Sequence, residues 1–193
     1  MIIKPTSNLD TLTDKLENCL MDISKWMSSN LLKLNTDKTE VIVFSSKAKL
    51  NNMRHFELTI GNDTIQPSTC VKNLGVYLDS ALTMEKQVSA VAKACFYQIR
   101  NIGQIRKFLT TNACKALVHS LVTSRLDYGN ALLYGIAGGL LGRLQRVQNA
   151  AARLITRTRK REHDTPVLQC RHWLPVEHRI YTVQTADLRL QGP

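Results

Sequence analysis

The stretch LLGRLQRVQNAAARLITR, residues 140–157, decides how the second half of this chain folds. Its apolar residues recur at steps of three and four, which is the period of an amphipathic α-helix. At about 100° per residue they gather on one side of the helix. The members of this apolar side are Leu140, Leu144, Val147, Ala151, Leu154 and Ile155. The stretch therefore predicts a helix over about 140–157 with one face in a hydrophobic core.

The other side of this helix is a row of cations without a carboxylate. Its members are Arg143, Arg146, Arg153, Arg157 and Lys160. The row is about 15 Å or more long, and solvated faces usually mix charges of both signs. We expect these side chains to bind phosphates, which at four or five contacts gives a log–log salt slope of about −3 to −5. The alternative is a row of arginines that only keeps the helix soluble.

The net charge of the chain is concentrated in its second half. The chain has 193 residues and a formal net charge of +11. Residues 1–83 contain 9 Lys or Arg and 9 Asp or Glu, whereas residues 84–193 contain 17 and 6. Twelve of those 17 cations are arginines, whose planar fork pairs with phosphate in a bidentate manner. This asymmetry indicates that the second half contacts a polyanion such as nucleic acid.

Outward from residues 140–157, the sequence predicts an α+β organisation. The first part of the chain is predicted to contain a helix from Leu9 to Met27 and a short strand over 41–44. These are followed by a hairpin turning at Gly61-Asn62 and by a strand over 70–80 that is interrupted by Gly75. Helical periodicity begins at about Thr83 and predicts two further helices. Their apolar faces run from Val88 to Ile102 and from Ala113 to Val122. We expect an Arg125–Asp127 pair with a packed Tyr128, and a last helix docked by His172 and Trp173.

Several segments together resemble the reverse transcriptases of LINE-type (non-LTR) retrotransposons. WMSSNLLKLNTDKTEVIVF and VKNLGVYLD are similar to the late palm and the primer-grip strands of that family. IRNIGQIRKFL, LVTSRLDYGNALLYG, LQRVQNAAARLI and HWLPVEHRI are similar to its thumb and post-thumb segments. The resemblance implies a partial palm, with a helix and a small antiparallel sheet, over 1–82. It also implies an all-helical thumb-like domain over 83–181 and a divergent or truncated tail over 182–193.

The resemblance assigns roles to particular positions. Lys38 matches the lysine that lies beside the phosphates of the incoming nucleotide, where an ammonium group can stabilise a leaving oxygen. Leu74 and Gly75 match the primer grip. The full-length family uses Mg²⁺ held by closely placed aspartates, and its Asp-Asp hairpin lies upstream of the first helix seen here. This sequence contains no Asp-Asp pair, so we expect no cofactor and no polymerase activity from this chain alone.

Other kinds of site have weaker support in the sequence. His163, Cys170, His172 and His178 are metal-ligand types, but they lack the second close pair that a zinc finger requires. Five scattered cysteines favour a reduced, intracellular chain, in the cytoplasm or nucleus, over a disulfide framework. No apolar run reaches the roughly 20 residues of a membrane span, and residues 1–10 do not have the pattern of a signal peptide. We expect neither a membrane nor a small-molecule substrate.

Three functional hypotheses follow. The chain is a reverse transcriptase fragment that at most grips RNA or an RNA–DNA duplex. Alternatively, it is a basic module that its host reuses to bind nucleic acid without catalysis. The third possibility is a vestigial chain that folds only in part, because half a palm exposes strand edges that are normally covered. The sequence makes no statement about oligomeric state.

Overall fold

A computed structural model of the chain describes residues 9–52, 57–61, 63–158 and 173–180. The chain divides into two compact units, Met1–Leu82 and Thr83–Pro193. The division falls where strand periodicity gives way to helical periodicity in the sequence. The described residues form helices and two small antiparallel sheets, which is consistent with the expected α+β class.

The core of the first unit lies between a long helix and a hairpin. Helix α1 (Leu9–Ser29) packs on strand β1 (Leu58–Ile60), which pairs with β2 (Asp63–Ile65) in an antiparallel hairpin. Leu58 and Ile60 are buried, and the partly buried side chains packed on them are Leu16, Leu20, Leu34, Val41, Val43 and Ile65. The predicted turn at this hairpin is confirmed, with Gly61 in a left-handed conformation at φ 63°. A short helix, α2 (Lys47–Asn52), precedes β1.

The prediction of one interrupted strand over 70–80 was wrong. Two strands, β3 (Cys70–Asn73) and β4 (Val76–Asp79), pair with each other in an antiparallel hairpin. Their connection is the two-residue turn Leu74-Gly75, with φ values of 47° and 84°. A two-residue hairpin turn whose backbone twist matches that of the flanking strands has positive φ at both of its central residues. Gly75 therefore reverses the chain instead of forming a bulge.

The expected strand over 41–44 is not part of a ladder. Val41 forms an isolated parallel bridge with Pro67, and its carbonyl accepts a hydrogen bond of 2.7 Å from the N–H of Ser68. Proline has no N–H to donate, so it cannot continue a ladder of hydrogen bonds. Val41 and Val43 still pack on the core. The apolar alternation was thus a true sign of burial, but not of strand pairing.

The second unit contains helices and turns in its described residues. Its elements are, in order, α3 (Glu85–Ile105), a 3₁₀ turn (Arg106–Phe108), α4 (Thr111–Val118), a π-helical turn (His119–Thr123), α5 (Ser124–Asp127), a 3₁₀ turn (Asn130–Leu133), and α6 (Gly138–Thr156). A last helical turn covers 176–180. Helices α3 and α4 both pack against α6.

The core of the second unit is larger than that of the first. Its fully buried side chains include Val88 and Cys95 of α3, Cys114 and Val118 of α4, and Leu144 of α6. Burial raises the pKa of the Cys95 thiol to about 11. The thiol lies 3.7 Å from the carbonyl oxygen of Val122. Cys95 is therefore a protonated core residue and not a nucleophile.

Candidate nucleic-acid interface

The buried side of α6 fixes which of its residues face outward. The buried members are Leu144, Val147, Gln148, Ala151, Ala152 and Ile155. Compared with the predicted face, the buried side is rotated toward Gln148 and Ala152, whereas Leu140 and Leu154 are only half-buried. Gln148 is tolerated in the core because its amide donates a 2.8 Å hydrogen bond to the carbonyl of Leu174.

Three of the predicted cations lie on α6: Arg146 and Arg153 lie opposite this buried side, and Arg143 lies at its border. Arg146 is exposed, and Arg143 and Arg153 are half-buried. Arg143 and Arg153 are ten residues apart in sequence, which is about 15 Å along the helix axis. Neither Arg143 nor Arg146 forms an ion pair with any residue that the structure describes. These three residues are called the α6 row below.

Arg157 does not continue the α6 row. Helix α6 ends at Thr156, and Arg157 takes a left-handed conformation with φ 58°. Its Nη2 donates a 3.4 Å hydrogen bond to the carbonyl oxygen of Arg106. The prediction placed Arg157 in line with the other arginines on the assumption that the helix continues to residue 157. Because the helix ends at Thr156, Arg157 lies off that line. Lys160, the last predicted member, lies outside the described residues.

Arg106 is a residue that supports the site structurally and that sequence reasoning missed. Its guanidinium group is buried and donates to three carbonyl oxygens, those of Leu154 (2.8 Å), Ile155 (2.8 Å) and Leu109 (2.9 Å). Two of these belong to the last turn of α6, where backbone carbonyls lack helical partners and the helix dipole is negative. Arg106 thus anchors the end of α6 that includes Arg153. No local signal in the sequence reveals a partner 48 residues away.

The residues before and within the 176–180 turn contact the π-helical turn, α5 and α6. The Trp173 ring makes an edge contact with His119, with centroids 5.4 Å apart, as expected for a docking role of Trp173. Gln145 accepts a 3.0 Å hydrogen bond from the N–H of Val176. The expected partner of Asp127 was wrong: its carboxylate pairs with Arg179 instead of Arg125. Tyr128, expected to be packed, is exposed, and His172 lies outside the described residues.

Two titratable groups near this contact are shifted by burial. Burial is the largest effect on Asp127 and raises the pKa of its carboxyl group, although Arg179 acts in the opposite direction. Burial is likewise the main reason why the pKa of His119 is lowered, with Lys115 and Arg179 adding to it.

In the first unit, the Asn-x-x-Lys-Thr motif forms a capped turn. The Asn35 side chain accepts a 3.2 Å hydrogen bond from the N–H of Lys38, and the Thr39 hydroxyl donates to the Asn35 carbonyl at 2.8 Å. These bonds explain why an asparagine stands three residues before the lysine. The Lys38 side chain is exposed. Leu74 and Gly75 form the tip of the β3–β4 hairpin, where Leu74 is 82% exposed.

Residues 9–52, 57–61, 63–158 and 173–180 contain no group of three or more His, Cys, Asp or Glu that could hold a metal ion. The candidate metal ligand His178 lies within this part of the chain. His163, Cys170 and His172 lie outside it. No described helix is long and apolar enough to cross a membrane.

Comparison with known proteins gives no relative. No protein-family model, no curated protein and no solved structure matches the chain.

Proposed function

We propose that the chain corresponds to the end of the palm and the thumb of a LINE-type reverse transcriptase. In this proposal it binds RNA or an RNA–DNA duplex through the α6 row and does not polymerise DNA. The motif order described above supports the family, with the first unit as partial palm and the second as thumb. An RNA partner also favours an intracellular location, in the cytoplasm or the nucleus.

The observation that supports nucleic-acid binding most directly is the charge of α6, together with the exposure of Arg146. Helix α6 contains no Asp or Glu, and Arg143 and Arg146 have no described carboxylate partner. Arginine that is not engaged by an internal anion is available for bidentate contact with phosphate. Packing of the buried side of α6 in the core fixes the position of the helix that carries these arginines.

The non-catalytic part of the proposal rests on chemistry. Two-metal phosphoryl transfer needs carboxylates that hold both ions, and the sequence has no Asp-Asp pair. Lys38 would then retain its family position without a reaction to assist. Leu74 and Gly75 would retain the primer-grip position at the tip of a hairpin.

One experiment tests both parts on the same RNA template–DNA primer duplex. Affinity is measured by fluorescence anisotropy over a series of salt concentrations, for the wild type and for Arg143→Gln/Arg146→Gln. If each arginine contacts a phosphate, the double variant makes the log–log slope less negative by about 1.8. Addition of deoxynucleotides and Mg²⁺ to the wild-type mixture should yield no extended primer.

The control is Lys47→Gln/Lys49→Gln in α2 of the first unit, which removes the same total charge. Circular dichroism establishes that each variant is folded. An equal loss of affinity and slope in the control would show that net charge alone drives binding, and would exclude the α6 row as the interface. Primer extension by the pure protein would contradict the non-catalytic proposal.

A further inference from the structure

The outer face of α3 combines cations with exposed aromatic rings. Lys93, Tyr97, Arg100 and Gln104 recur at i, i+4, i+7 and i+11, so they lie one above another on the same side of the helix. All four are exposed, and Tyr97 is 63% exposed. Phe96 flanks them and is 44% exposed. These five residues are called the α3 stripe.

The α3 stripe is not an extension of the core. The buried side chains of α3 are Gln87, Val88, Ala92, Cys95 and Ile102, which lie on the other side of the helix except for Ala92, one turn from Phe96. A large aromatic ring left in water forgoes the free energy of burial, which for a phenylalanine side chain is about 1.5–3 kcal/mol. Two neighbouring exposed rings on a helix with a well-formed buried face therefore suggest a ligand.

The charge of the α3 stripe restricts the chemistry of that ligand. From Lys86 to Thr110 the sequence contains five cations and no Asp or Glu. Lys93 and Arg100 are each one helical turn from Phe96 and from Tyr97, so every ring on the stripe has a cation beside it. The pattern continues past α3, where the ammonium group of Lys107 lies 4.8 Å from the ring centroid of the 77% exposed Phe108. The complementary ligand carries regularly spaced anions and flat apolar groups.

We propose that the α3 stripe binds single-stranded RNA. Tyr97 and Phe96 stack on unpaired bases, while Lys93 and Arg100 contact the flanking phosphates. Stacking on aromatic side chains is tolerant of sequence because every base has a flat face. The amide of Gln104, on the same face, can hydrogen-bond a ribose 2′-hydroxyl, the group that distinguishes RNA from DNA. This site is separate from the α6 row, which has no aromatic residue.

The test uses the full chain and a fluorescent dodecamer of uridine, (U)12, in an anisotropy titration. Tyr97→Leu keeps an apolar side chain but removes the ring, and it should weaken binding about fivefold or more. Tyr97→Phe keeps the ring and should bind within about twofold of the wild type. Binding of a 12-base-pair RNA duplex should be unchanged by Tyr97→Leu, whereas Arg143→Gln/Arg146→Gln should affect the duplex. Failure of this proposal and failure of the α6 proposal are thus distinguishable.

Two further measurements separate stacking from charge. Replacing one uridine by 2-aminopurine should give an emission that is quenched on binding to the wild type but much less on binding to Tyr97→Leu. Lys93→Gln/Arg100→Gln should make the log–log salt slope for (U)12 less negative by about 1.4. Trp26→Ala is the matched control, because Trp26 is equally exposed at 63% but lies in the first unit.

Several outcomes would overturn the proposal. If Tyr97→Leu binds (U)12 as tightly as the wild type does, stacking by Tyr97 is excluded. Stacking is also excluded if Tyr97→Leu and Tyr97→Phe lose the same amount of affinity for (U)12. Displacement of (U)12 by poly-glutamate at the same anion concentration as by unlabelled (U)12 would indicate an acidic protein partner. Binding of (dT)12 as tight as that of (U)12 would contradict the assignment to RNA. If Tyr97→Leu does not fold, Phe96→Leu and the salt slope of Lys93→Gln/Arg100→Gln decide the question.

Discussion

Arg106 illustrates how a cation can be buried without a carboxylate. Its three guanidinium nitrogens donate to the carbonyls of Leu154, Ile155 and Leu109 at 2.8–2.9 Å. The partial negative charge at the C-terminal end of α6 takes the place of an anion. The fork geometry of arginine matters here, since a lysine ammonium group cannot reach three divergent acceptors in one plane.

We expect Arg106→Leu to lower the free energy of unfolding by about 3 kcal/mol, because carbonyls at the end of α6 lose a charged donor. Arg106→Lys should recover only part of this loss. Urea denaturation followed by circular dichroism measures both. Lys107→Leu, at the exposed neighbouring position, should change stability by less than about 0.5 kcal/mol. A similar value for Arg106→Leu would show that the three hydrogen bonds contribute little.

Single residues were the hardest part of the site to predict from the sequence. The positions of Arg143, Arg146 and Arg153 followed from helical periodicity alone, because all three lie within one helix. The role of Arg106 and the pairing of Asp127 with Arg179 did not, because their partners are 48 or more residues away. Local patterns report which side of an element is buried, but not which distant group meets it.

At the scale of elements, the Asp127–Arg179 pair ties α5 to the 176–180 turn. The raised pKa of Asp127 has a definite sign for stability. A carboxyl group whose pKa is higher in the folded than in the unfolded chain favours folding when it is protonated. That contribution is present below the unfolded pKa and is lost as the pH rises through the folded pKa. At neutral pH, burial of the ionised carboxylate therefore destabilises the folded chain by more than its attraction to Arg179 stabilises it.

Asp127→Asn, which keeps an oxygen acceptor for Arg179, should consequently be at least as stable as the wild type at pH 7. Its advantage should shrink as the pH falls toward 3, where Asp127 becomes neutral as well. Thermal unfolding of both proteins between pH 3 and pH 7 gives the comparison. Arg179→Gln removes the opposing charge and should move the pH dependence to higher pH. A variant less stable than the wild type by more than about 1 kcal/mol at pH 7 would mean that the ion pair outweighs burial.

Element boundaries also show where sequence patterns are sufficient. The period of 3.6 residues predicted α1, α3 and α6 to within a few residues of their observed ends. The apolar alternation at 41–44 predicted burial correctly but not pairing, which depends on a neighbour that can donate hydrogen bonds. The 70–80 segment was misread because Leu74, a residue rarely found at positive φ, hid a two-residue turn.

At the scale of the whole molecule, the two units differ in how much apolar surface they bury. Among the described residues, 21 hydrophobic side chains are buried, and only Leu58, Ile60, Val71 and Val76 belong to the first unit. Regions with few buried apolar contacts open at lower free energy than well-packed ones. The sequence suggested two regions by composition, but it could not give their relative stability, which depends on tertiary packing.

Native-state hydrogen exchange should therefore separate the two units. Amides in β1–β4 should exchange first and gain little protection when denaturant is withdrawn, whereas amides in α3 and α6 should exchange only through global unfolding. Mass spectrometry of peptic fragments resolves the units without the need to divide the chain. Equal protection in both units would mean that the chain unfolds as one cooperative body.

The π-helical turn at His119–Thr123 has a consequence for the periodicity of its helix. Cys114, Val118, Val122 and Leu126 are all buried, although they are spaced four residues apart. On an unbroken α-helix, each step of four overshoots a full rotation by about 40°, so the fourth side chain would point about 120° away from the first. The π turn fits an additional residue into its circumference and cancels part of this rotation. A strict repeat of four in a helical sequence can thus mark a locally widened helix.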